Sequence, residues 1–101
     1  MQINITARKF TLNDDIRDYV EKEVSSLSKF YEGVIEADVV LGWEKRMRFV
    51  EVTLNANGTV FIGKDSSENM KKSIDRAVEK LERQLKKFKE KKKNKRVEKL
   101  V

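Results

Sequence analysis

Lys72, Arg76, Lys80, Arg83 and Lys87 recur at steps of three and four residues. In an α-helix, which advances about 100° per residue, these five side chains fall within one strip roughly 80° wide. Five like charges in a row repel each other, and a polyanion laid along the row removes that repulsion. Cations at this spacing stand about 5–6 Å apart, close to the phosphate spacing of an RNA backbone, and Lys or Arg there supplies charge without reading bases. The ligand expected is one recognised by shape and charge. Asp75, Glu79 and Glu82 gather on the neighbouring strip. The competing reading is therefore an ordinary solvated helix braced by i,i+3 and i,i+4 ion pairs.

A smaller cluster, Lys45, Arg46 and Arg48, sits between two strand-like runs and can touch the same ligand, although a polar hairpin needs no function to look like this. Arg48, Phe49 and Val50 faintly resemble the aromatic strand motif of RNA-recognition domains, but the flanking glycines are absent and the element order differs. Phe49 is accordingly a weak candidate for base stacking. Tyr19, Tyr31, Trp43, Phe61 and Phe88 stand mostly at core-like positions, where they bury hydrophobic area.

Little else in the chain can do covalent chemistry. There is no Cys and no His among the 101 residues, so thiol nucleophiles, disulfides, the usual zinc ligands and the commonest general acid–base side chain are all missing. Asp14 with Asp15, and Asp65 with Glu68, read as helix-capping carboxylates, since nothing convergent accompanies them. No catalytic residue, metal ligand, cofactor or small-molecule substrate is expected.

Charge is unevenly distributed. Residues 86–101 carry nine Lys/Arg against two Glu, leaving fourteen against fifteen acidic residues over 1–85, out of a net charge of +6. A basic segment on a nearly neutral body commonly contacts nucleic acid or an acidic membrane surface. No window approaches the roughly 18–20 apolar residues of a membrane span, and Met1–Phe10 reads as a strand, so a cytoplasmic protein without membrane association is expected.

The elements that must position these cations follow from periodicity. Ile3, Ile5 and Ala7 alternate with polar neighbours, giving a strand over 2–8. Asn13 can cap a helix with Asp14 and Asp15 in its first turn, and Ile16, Tyr19, Val20, Val24, Leu27 and Tyr31 extend its apolar stripe over roughly 14–30. After Gly33, the alternation Ala37, Val39, Leu41, Trp43 predicts a second strand, and Arg48, Val50, Val52, Leu54, Ala56 a third. Asn57–Gly58 signals a type I′ hairpin turn into a fourth strand, Thr59–Gly63. Asp65 and Glu68 resemble a capping box opening the last helix. That helix has its core stripe at Met70, Ile74, Ala77, Val78, Leu81, Leu85 and Phe88, and ends near residue 92. The order is β-α-β-β-β-α, an α+β domain over 1–92 with a basic, lysine-rich tail or linker start over 93–101.

With that order established, the sequence resembles the ribosome hibernation promoting factors, also called ribosome-associated inhibitors or sigma-54 modulation proteins. The most specific stretch runs from Glu68, Asn69, Met70 through Ile74 and Asp75 to Lys80, Leu81, Glu82, Arg83, Gln84, Leu85, Lys86, Lys87, Phe88 and Lys89. "MQINIT" at Met1–Thr6 is similar to the usual family start, and Val52–Gly58 resembles its third strand and turn. Two departures are Asn69 where Asp is usual and Lys71 where Tyr is usual. The resemblance implies a four-stranded mixed sheet with two helices on one face, bound in the small-subunit channel where mRNA and tRNA would lie, inhibiting translation by occlusion. The family's rRNA-facing positions would carry over to Lys80, Arg83, Lys87, Lys89 and Lys91, with Lys72 and Arg76 added on helix geometry alone. Long family members continue into a dimerisation domain, and residues 94–101 would serve equally as a tail or as the start of a linker. The expectation is a non-catalytic factor that binds small-subunit rRNA and competes with mRNA and tRNA. The alternatives are a general double-stranded-RNA module and a protein-interaction module using the open sheet face or a sheet edge.

Overall fold

The computed structural model describes the backbone of residues 1–100 and the side chains of residues 1–89. Elements follow in the order β1 (Gln2–Arg8), α1 (Asp14–Ser25), a 3-10 turn (Ser26–Lys29), β2 (Val34–Glu44), β3 (Met47–Ala56), β4 (Thr59–Ser67) and α2 (Met70–Leu100). The four strands form one mixed sheet in the order β1-β2-β3-β4. β1 runs parallel to β2, with Ile3 opposite Ala37 and Ile5 opposite Val39, because α1 carries the chain back across the sheet before β2 begins. The other pairings are antiparallel hairpins.

Alternation decides which face is covered. Ile3 and Ile5 of β1, Val39 and Leu41 of β2, Val50, Val52 and Leu54 of β3, and Phe61 of β4 all project to the same side. There they meet Val20 and Val24 of α1, Leu27 of the 3-10 turn, and Ile74, Ala77, Val78, Leu81 and Leu85 of α2. Both helices therefore lie on one face, as the resemblance implied, and the other face is open. Asn57 and Gly58 adopt φ of 50° and 83°, the two positive values that a type I′ turn requires. Gly63 is required for a different reason: a Cβ there would stand 2.6 Å from the Ala77 carbonyl oxygen and 2.7 Å from Leu81 Cγ, so its absence lets α2 close on β4.

Several boundaries differ from expectation. The first helix tightens into a 3-10 turn at Ser26 because Ser25, Ser26 and Ser28 each donate a hydroxyl back to the carbonyl three residues earlier. β4 continues past Gly63 to Ser67, held by pairing of Asp65 with Val50 and Ser67 with Arg48. Asp65 is thus a strand residue, and the expected Asp65/Glu68 capping box does not form. Asn69 caps α2 instead, its Oδ1 accepting from the Lys72 N–H at 3.2 Å. At its far end α2 is helical through Leu100, beyond the expected stop near residue 92. The core stripe matches expectation at Ile74, Ala77, Val78, Leu81 and Leu85, with Met70 and Phe88 packed against it half-buried.

Ser73 is the buried polar residue that apolar periodicity overlooks. Fully buried in the first turn of α2, it donates its hydroxyl to the Arg48 carbonyl at 2.6 Å and stands 2.8 Å from Ser67 Oγ. One hydroxyl pins the helix start to the beginning of β3 and the end of β4.

Candidate nucleic-acid interface

Helix α2 presents Lys72, Arg76, Lys80, Arg83 and Lys87 on its exposed side, opposite the stripe that enters the core. The five do not share one electrostatic environment. Lys80 leans to the edge of the sheet, donating to the Lys64 carbonyl at 2.7 Å and pairing with the mostly buried Asp65 carboxylate at 3.4 Å. Gln84, one turn on, donates to the Ile62 carbonyl at 2.8 Å. Two backbone acceptors of the edge strand are thereby occupied, which blunts an edge that would otherwise invite strand pairing. Lys72, Arg76, Arg83 and Lys87 have no carboxylate partner among the described residues.

Of the described carboxylates of α2, Asp75, Glu79 and Glu82, two are engaged. Asp75 accepts the Tyr19 hydroxyl, and Glu82 pairs with Lys86 at 3.1 Å. Lys71 pairs with Asp15 of α1 at 3.1 Å and lies 5.2 Å from the Tyr19 ring centroid. The Tyr19 hydroxyl has its pKa pushed up to about 12, first because the Asp75 carboxylate accepts its proton in a hydrogen bond, then by burial and by the negative charge nearby. Acidic groups thus brace the two helices together and leave the outward row cationic.

The remaining candidates separate. Lys89 lies away from the row, lining a cleft of about 380 Å³ with Lys29, Phe30 and Phe88 on the flank of the 3-10 turn. The Lys91 side chain lies outside the described residues. Lys45 and Arg46 are exposed at the tip of the β2–β3 hairpin, with Lys45 at φ 57°. Arg48 is half-buried: its guanidinium lies 4.1 Å from the Trp43 ring centroid, and Nη1 donates to the carbonyls of Lys45 and Met47 at 3.3 and 3.4 Å. Arg48 is therefore spent largely on shaping the hairpin that carries the other two cations.

Trp43 corrects a sequence expectation. Its parity in β2 is that of the core face, but it stands at the strand end beyond the helices, and 43% of it is exposed. Phe10 covers part of the indole in a parallel stack with centroids 5.2 Å apart. Phe10 follows β1 on the way to α1, and no periodicity in the sequence marks it; its role shows only in the stack on Trp43. Phe49 lies half-buried on the open face with its ring across Gly42, its partner in the β2–β3 register, where a Cβ would collide with it. Among the described residues, no group of three or more His, Cys, Asp or Glu is placed to hold a metal. No helix is long and apolar enough to cross a membrane among those residues.

Fold and site together define a class: a four-stranded α+β domain whose long C-terminal helix displays a cationic row. The family model described as Sigma 54 modulation protein / S30EA ribosomal protein matches residues 3–93, and the chain belongs to that family. It is 35% identical to a ribosome hibernation promoting factor of Azotobacter vinelandii, across 90% of this chain and 85% of that protein. A ribosome hibernation promotion factor of Lactococcus lactis is 37% identical, across 88% of this chain and 50% of that longer protein. The crystal structure of the Thermus thermophilus Protein Y N-terminal domain superposes with a TM-score of 0.81 at 32% identity, covering 87% of this chain and 99% of that domain.

Proposed function

We propose that this chain is a non-catalytic, cytoplasmic ribosome hibernation factor that binds small-subunit rRNA in the mRNA/tRNA channel and inhibits translation by occlusion. One observation carries the reading: four exposed cations, Lys72, Arg76, Arg83 and Lys87, stand in a row on α2 without carboxylate partners among the described residues, in a chain whose relatives are named for ribosome hibernation. An uncompensated cationic row on a rigid helix matches a regular polyanion, and the Lys45–Arg46 tip supplies a second contact. Phosphate contacts fix register on the RNA, and the folded body then fills space that mRNA and tRNA would use.

Purified small subunits, sedimented with the protein in the absence of other factors, test this directly. The protein should co-sediment, pre-bound initiator tRNA should displace it, and initiation in a purified translation system should fall. Full simultaneous occupancy by protein and tRNA would exclude occlusion. Equal affinity for free duplex RNA would replace the ribosomal reading with that of a general double-stranded-RNA module.

A further inference from the structure

At the end of the sheet where both helices begin, a cleft of about 510 Å³ opens between the β2–β3 hairpin and the start of α2. Its apolar wall is the stacked pair Phe10 and Trp43, with the Arg48 guanidinium over the indole. Its polar wall is mixed. Asn13 and Asn69 each give their Oδ1 to a helix N–H, at 2.8 and 3.2 Å, which leaves the Nδ2 groups as donors, while Glu68 offers an acceptor. Arg48 and Lys71 line the cleft as well, but the Arg48 guanidinium lies over the indole and Lys71 pairs with Asp15 at 3.1 Å, so neither cation stands uncommitted beside the Glu68 carboxylate. A flat heteroaromatic ring with both donors and acceptors on its edge satisfies every wall.

Resting on the RNA reading above, we propose that this cleft takes one unpaired nucleobase of the bound RNA, stacked on the Phe10–Trp43–Arg48 cluster. Unpaired bases stack on aromatic rings and on guanidinium planes, and this cluster offers both within one surface. With Phe10 stacked on the indole and Arg48 over the same ring, the base stacks on the outer plane of the guanidinium, and the hairpin cations Lys45 and Arg46 hold the flanking phosphates. The row on α2 supplies affinity without sequence information, whereas this cleft reads a base edge.

Arg48→Lys tests the proposal because it keeps the charge and removes the plane. Against small subunits, it should lose about tenfold in affinity while the slope of log affinity against log salt stays that of the wild type. Base-specific chemical probing should show one base protected by the wild-type protein and reactive with the variant, its backbone still protected. Trp43→Leu should expose the same base. Trp43 is the sole tryptophan, so its emission and the melting curve of the unbound Arg48→Lys protein establish that the hairpin remains folded. Unchanged affinity and protection in Arg48→Lys would overturn the proposal, as would an Arg48→Gln variant that keeps the base protected and loses affinity only through a flatter salt slope, which marks a phosphate contact. A wild-type protein that does not bind small subunits at all refutes the RNA reading itself, and the nucleobase site with it.

Discussion

Replacing Arg76, Arg83 and Lys87 together by Gln isolates the electrostatic role of α2. All three are exposed, and none pairs with a carboxylate among the described residues, so no described ion pair is lost there. Exposed unpaired charges contribute little to stability, and relief of their mutual repulsion offsets part of any loss, so the melting temperature should stay nearly unchanged. Binding changes instead. At 1.5 Å per residue, the three positions span about 16 Å of helix axis, room for each to meet its own phosphate. If each neutralises one, the slope of log affinity against log salt flattens by roughly 0.7–0.9 per residue, or about 2–3 in total. Across a fourfold rise in salt, from about 50 to 200 mM, the wild-type protein should then lose roughly 20- to 40-fold more affinity than the variant. The assay is a filter-binding or sedimentation titration against small subunits at several salt concentrations. Leu81→Ala is the converse control. With Leu81 fully buried, it should lose about 2–5 kcal/mol of stability and keep the wild-type slope for the folded fraction. If the triple variant binds with an unchanged slope, the row is a solvated face, and the RNA contact belongs to the Lys45–Arg48 hairpin or the lysine-rich end.

Lys80→Gln should behave unlike its neighbours in the row, lowering stability by about 1 kcal/mol in denaturant titration, because Asp65 loses its partner and the Lys64 carbonyl its donor. Ser73→Ala should cost about 1–3 kcal/mol by the same measurement, since the Arg48 carbonyl is left without the buried hydroxyl, and an unchanged midpoint would show that bond to be idle. Gly63→Ala should destabilise by about 1–3 kcal/mol, because the added methyl meets the Ala77 carbonyl and Leu81 and must push α2 off β4. Tyr19 ionises near 12 in the folded protein against about 10 unfolded, so the stability from its bond to Asp75 is complete below about pH 10 and is lost as pH rises from there to about 12. Tyrosinate absorbance in a Tyr31→Phe background should show this late titration, and substitution of Asp75 by Asn should bring it earlier.

Much of the architecture was legible in the chain because it is local. Alternation at Ile3–Ala7 and Val50–Ala56 made strands, Asn57–Gly58 made a turn whose two positive φ values few residues accept, and the Ile74–Leu85 stripe assigned the core side of α2 and hence its cationic side. What depended on residues far apart in sequence was not legible. Asp65 looked like a helix cap until pairing with Val50 drew it into β4, which left the cap to Asn69. Lys80 looked equivalent to Arg83 and Lys87, but the closeness of α2 to β4 gave it Asp65 and a strand carbonyl as partners. Trp43 had the parity of a core residue, yet it overhangs the end of the sheet, where Phe10 stacks on it and Arg48 lies over its ring. Periodicity says which way a side chain points relative to its own element. Which other element stands there, and how far the layer above extends, is decided only when strands and helices pack, because burial and ion pairing are properties of the space between elements.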